Sequence, residues 1–87
     1  MSKHHHSYEI IQRDLWIGIR PPLDSFALTV LNSDPQIKPT LDNGIQLKDE
    51  TMWLHPTFKD FRLGMGIVHA IRTRLEGAGM TVQIDEG

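Results

Sequence analysis

Two histidines that stand near hydroxyl-bearing residues are the first places where this 87-residue sequence could do chemistry: His55 with Thr57, and His69 with Thr73. An imidazole beside a hydroxyl makes an activated nucleophile only when a third group orients the base, and the sequence supplies no such group at either place. Thr57 has a competing use as a helix cap. A metal site built from His55, His69 and a carboxylate needs fixed distances that this spacing does not provide. The three consecutive imidazoles His4-His5-His6 sit in a short polar segment with no fixed geometry and no neighbouring group to orient them, and they read as a tail or a tag remnant. Cysteine is absent, which closes off disulfides, thiolate metal sites and thiol nucleophiles. The expectation is a chain with no catalytic residue, no metal ligand set and no cofactor.

His55-Pro56-Thr57 has the form of the H-x-T element of two-histidine phosphoesterases, which use two such elements around a phosphate. His69 is followed by Ala70-Ile71, so the second half is missing and the similarity carries no activity. Binding residues are easier to name. Trp16 and Trp53 are large amphipathic side chains of the kind that concentrate binding energy at interfaces. The stretch from Phe58 to Glu76 holds Lys59, Arg62, Arg72 and Arg74 against Asp60 and Glu76, a locally basic segment in a chain of net charge -2. The partner-binding set is therefore Trp53, His55, Lys59, Arg62, His69 and Arg72. An overall charge this close to zero gives no field to hold a nucleic-acid backbone, which leaves nucleic-acid or nucleotide binding by the basic helix face as the alternative.

The elements that position these residues follow from pattern. Met1 to Ser7 is polar and reads as a flexible His-containing arm, with a single domain over 8–87. Tyr8–Gln12 and Leu15–Arg20 pair as a hairpin around Asp14, with Ile17 and Ile19 on one face and Trp16 and Arg20 on the other. Gly18 leaves a gap where another backbone can approach, and Pro21-Pro22 ends the ladder. Leu23–Leu31 fits both periods: Phe26, Leu28 and Val30 alternate, while Leu23, Phe26, Ala27, Val30 and Leu31 fit a helix. The β-branched Thr29 and Val30 and the short run favour a strand. Pro35 and Pro39 then make Gln36–Leu41 an extended connection. Asp42-Asn43-Gly44 is a turn leading into a second hairpin, Ile45–Lys48 with Thr51–His55. That hairpin puts Ile45, Leu47, Met52 and Leu54 on the core side and Trp53 and His55 on the opposite face.

Thr57 and Asp60 form a capping box, so a helix starts at Phe58; Phe61, Met65, Val68, Ile71 and Leu75 make its apolar stripe. Gly77 and Gly79 stop it near Glu76. Of the two glycines inside it, Gly64 suits close packing on the sheet and Gly66 suits a bare face. Met80–Ile84 alternates as a final strand, which the crossover places parallel to an earlier one. The fold class is α+β: two layers, a mostly antiparallel sheet of four to five strands, and one long amphipathic helix over about 58–76 before the last strand.

The hairpin ending in Trp53-Leu54-His55, then Pro56-Thr57-Phe58-Lys59-Asp60 and an amphipathic helix, resembles the arrangement of small phage and mobile-element proteins, among them anti-CRISPR proteins and related inhibitors of host defence. The similarity spans about residues 44–76 and is architectural. It implies a compact protein without catalytic machinery that occupies a surface of a larger host protein or complex, in the host cytoplasm if phage-encoded. At this size folding hides only roughly 60–65% of the chain's surface, which favours a shared surface over a deep cleft. The longest apolar run, Phe26–Leu31, is far short of the ~20 residues of a membrane helix, so no membrane and a cytoplasmic location are expected. Homo-oligomerisation through an uncovered sheet edge or face is a further expectation.

Overall fold

The computed structural model describes residues 7–13, 16–55 and 61–85, with side chains described outside 61–64. The chain runs β1 (Ser7–Arg13), β2 (Trp16–Arg20), α1 (Ser25–Asn32), α2 (Lys38–Asp42), β3 (Ile45–Lys48), β4 (Thr51–Leu54), α3 (Phe61–Gly77) and β5 (Thr81–Asp85). The strands form one sheet in the order β3-β4-β2-β1-β5. The pairs β1·β2, β2·β4 and β3·β4 are antiparallel, and β1·β5 is parallel. The fold is α+β with a mixed sheet. Ser7, placed in the arm by sequence, is the first residue of β1 and pairs with Thr81; residues 1–6 lie outside the described residues.

Register decides which side chains share a face. Tyr8, Ile10, Ile17, Ile19, Met52, Leu54 and Val82 point to one side, where Ala27, Leu31, Leu41, Ile67, Val68, Ile71 and Leu75 from the helices, with Ile37 just before α2, close a single core. Each leucine, isoleucine, valine or methionine among them contributes roughly 1.5–3 kcal/mol by leaving water. Trp16, Gly18 and Arg20 of β2 and Trp53 of β4 point the other way, so among the described residues the helices form one layer and the far face of the sheet carries none.

Four expectations need correction. The segment read as a strand, 23–31, is the helix α1. Its start is fixed by Asp24, whose Oδ1 accepts the Ala27 N–H at 2.8 Å, an N-cap that outweighs the β-branched pair Thr29-Val30. Burial of Leu23, Ala27 and Leu31 at four-residue steps completes the case, while Phe26 is left 57% exposed. The supposed extended connection contains α2. Pro39 falls in its first turn, where a missing N–H breaks no helical bond, and Ile37, Thr40 and Leu41 are buried.

Along α3 the buried stripe is Ile67, Val68, Ile71 and Leu75, and Met65 is exposed at 40%. The start expected at Phe58 lies outside the described residues, as do the surroundings of Gly64. The helix ends as anticipated: Gly79 takes φ +93° and the Met80 N–H donates to the Leu75 carbonyl at 3.0 Å, closing a Schellman turn. Finally, Ile45 and Leu47 share the face of Leu54 and Met52 but are 39% and 68% exposed, because β3 lies at the sheet edge beyond the cover of the helices.

Candidate functional site

The uncovered sheet face is built around Trp53. Cross-strand pairing sets Trp53 opposite Gly18 on one side and Gln46 on the other. A Cβ on Gly18 would lie 2.7 Å from Trp53 Cζ3 and 2.9 Å from Cη2, so the indole lies directly on the glycine backbone. The gap that Gly18 leaves is thus filled from within the chain. Arg13, from the end of β1, places its guanidinium carbon over the Trp53 ring, 5.9 Å from the centroid, a contact worth about 0.5–1 kcal/mol at an exposed site.

Beside this stack, Trp16 and His55 meet edge to face, with ring centroids 4.5 Å apart and planes at 66°. The His55 carbonyl accepts a hydrogen bond from Asn43 Nδ2 at 2.5 Å, which ties the end of β4 to the turn before β3. Arg13, Trp16, Gln46, Lys48, Asp49 and Trp53 enclose a shallow depression of about 310 Å³. Arg13 and Lys48 have no ion-pair partner among the described residues. Further along the face, Arg20 pairs with Glu9, an exposed ion pair of small energetic weight.

The sequence-derived binding residues therefore separate. Trp53 and His55 meet on the open face, together with Trp16. His69 and Arg72 are exposed on α3, in the opposite layer. The side chains of Lys59 and Arg62 lie outside the described residues. Arg72 donates from Nε to Glu76 at 3.2 Å, one turn on, and Arg74 donates to Asp34 at 2.9 Å, so both cations are engaged within the chain. His69 lines a second groove of about 710 Å³ with Val30, Asp34, Gly66, Thr73 and Arg74. The bare position expected at Gly66 is there: an added Cβ would meet nothing within 4 Å.

Asp34 serves the fold in that groove. Its Oδ1 accepts the Gln36 N–H at 2.8 Å and its backbone carbonyl accepts from Ile37 and Lys38, organising the turn into α2. The Arg74 guanidinium, then the Gln36 N–H, hold its carboxyl below the ordinary carboxylate range. On the core side, burial pushes the Tyr8 phenol up.

Among the described residues no group of three or more histidine, aspartate or glutamate side chains converges to hold a metal ion. No helix among them is long and apolar enough to cross a membrane. Sequence reasoning missed Arg13 and Gln46 as members of the face. The signal was available in the strand register, since Arg13 pairs with Trp16. No family model matches the sequence, and no curated protein or solved structure matches it.

Proposed function

We propose that this chain is a small non-enzymatic protein-binding module whose docking surface is the uncovered sheet face around Trp16, Trp53 and His55. It acts as small phage inhibitors of host defence do, by occupying a surface of a larger complex. The observation that carries the reading is the pair of half-buried tryptophans, each held in a fixed orientation: Trp53 by Gly18 and Arg13, Trp16 by His55. Aromatic anchors fixed before binding lose little conformational freedom on docking, which is where interface hot spots gain their energy.

The same packing weighs against nucleobase stacking, because Gly18 lies against one face of the Trp53 ring and Arg13 stands over it. The helix-face route to nucleic acid is weakened by the partners of Arg72 and Arg74.

The test is affinity capture from bacterial lysate, with and without nuclease treatment, using the native chain and Trp16→Ala, Trp53→Ala and Arg72→Ala. A stoichiometric protein held by the native chain and by Arg72→Ala, and bound at least about 30-fold more weakly by the tryptophan variants, is expected of hot-spot residues. Retention unchanged in both tryptophan variants refutes the surface. Retained material that disappears with nuclease replaces it with nucleic-acid binding.

A further inference from the structure

Among the described residues the outer edge of β3 is unpaired, and it offers a second surface next to the tryptophan depression that Gln46 and Lys48 also line. All four of its residues are exposed, and Ile45 and Leu47 turn apolar side chains to the helix side and leave 39% and 68% of their surface in solvent. Native sheets usually blunt such an edge with a central lysine, a proline or a bulge. Here the only charge is Lys48, at the strand's end next to the turn.

We propose that this edge is self-complementary and that a second copy of the chain docks on it, β3 against β3 in antiparallel pairing. The register follows from geometry. A two-fold axis normal to the sheet keeps each face on its own side, so only residues of the same face can stand opposite one another. Lys48 and Thr51 flank a two-residue turn and form a hydrogen-bonded pair, as does Gln46 with Trp53; Ile45 and Leu47 therefore direct their N–H and C=O groups outward.

The register that uses both outward residues sets Gln46 opposite Gln46 of the second copy. Ile45 then faces Leu47 of the second copy, and Leu47 faces its Ile45. Both exposed apolar side chains of each copy are covered, and the outward backbone groups bond reciprocally. Lys48 stands opposite Gly44, about 13 Å along the strand from the other Lys48, so like charges do not meet. A strand of another protein could satisfy the backbone equally. The apolar-polar-apolar run Ile45-Gln46-Leu47, however, reads alike in both directions, as a two-fold requires. The contact uses one four-residue strand from each copy, so dimerisation is expected to depend on protein concentration.

The absence of native cysteine makes the register directly testable. In the proposed dimer Gln46 and its symmetry mate form a non-hydrogen-bonded pair with Cα atoms about 4.5 Å apart, close enough for a disulfide. Under mild oxidation Gln46→Cys is expected to cross-link rapidly into dimers, while Lys48→Cys and Arg20→Cys stay largely monomeric. Adding Leu47→Lys to Gln46→Cys is expected to abolish the cross-link. Equal cross-linking of all three cysteine variants reveals random collision and overturns the proposal. So does a folded Gln46→Cys that stays monomeric. Sedimentation of the native chain gives a decision independent of any variant, since a single monomeric species at millimolar concentration also overturns it.

Discussion

Gly18 sits in the middle of the sheet with an indole lying on it, and Gly18→Ala converts that contact into a measurable coupling. No left-handed backbone angle is involved at this glycine, so alanine is conformationally acceptable. By itself it would stabilise the domain by about 0.4–1 kcal/mol through a less disordered unfolded chain. The added methyl would stand 2.7–3.0 Å from three carbons of the Trp53 ring, closer than real side-chain contacts allow. The indole has to lift, and overpacking of this kind costs about 1–3 kcal/mol. The net expectation is a loss of about 1 kcal/mol, or about 4–8 °C in melting temperature for a domain of this size.

In a Trp53→Ala background the obstructing atoms are gone, and the same substitution is expected to stabilise by about 0.5 kcal/mol. Urea unfolding of the four proteins followed by circular dichroism measures the cycle. Trp53 fluorescence in a Trp16→Phe background reports whether the ring has left its seat. An equal effect of Gly18→Ala with and without Trp53 would refute the stacked arrangement, and with it the preorganised face on which the binding reading depends.

Four further outcomes follow from the same geometry. Asp34 has a lowered carboxyl pKa in the fold, so its contribution to stability is complete above the ordinary carboxylate range and is lost as pH falls through the folded value; Asp34→Asn is expected to flatten that acid limb in denaturation midpoints measured against pH. Asp24→Ala removes the α1 cap and is expected to cost about 1 kcal/mol by urea unfolding. Glu50 is held at φ +59° in the turn between β3 and β4, so Glu50→Gly is expected to raise stability by about 0.5–1 kcal/mol in thermal melts. Ile71→Ala opens a void in a fully buried site and is expected to cost about 2–5 kcal/mol, a large share of the stability of a small domain.

Local chemistry decided much of this protein in the sequence itself. The hairpin from Ile45 to Leu54 could be read because its alternation is clean and Asn43-Gly44 precedes it. The long helix could be read from its three- and four-residue apolar steps and its glycine stop. The placement of Trp53 and His55 opposite Met52 and Leu54 follows from the period of two that any strand imposes. Where signals at the same range conflicted, the reading failed. The segment 23–31 carries both periods, and only the Asp24 cap with burial of Ala27 and Leu31 against the helix layer resolves it as α1.

What the tertiary structure alone decided involves residues far apart in the chain. Asp34 meets Arg74 across forty positions, Trp53 covers Gly18 across the sheet, and Arg13 reaches over the Trp53 ring. Ile45 and Leu47 have the pattern of core residues and remain exposed, because whether an apolar face is buried depends on how far the helices extend over the sheet. Periodicity assigns a side chain to a face of its own element; only the packing of the elements determines what that face meets.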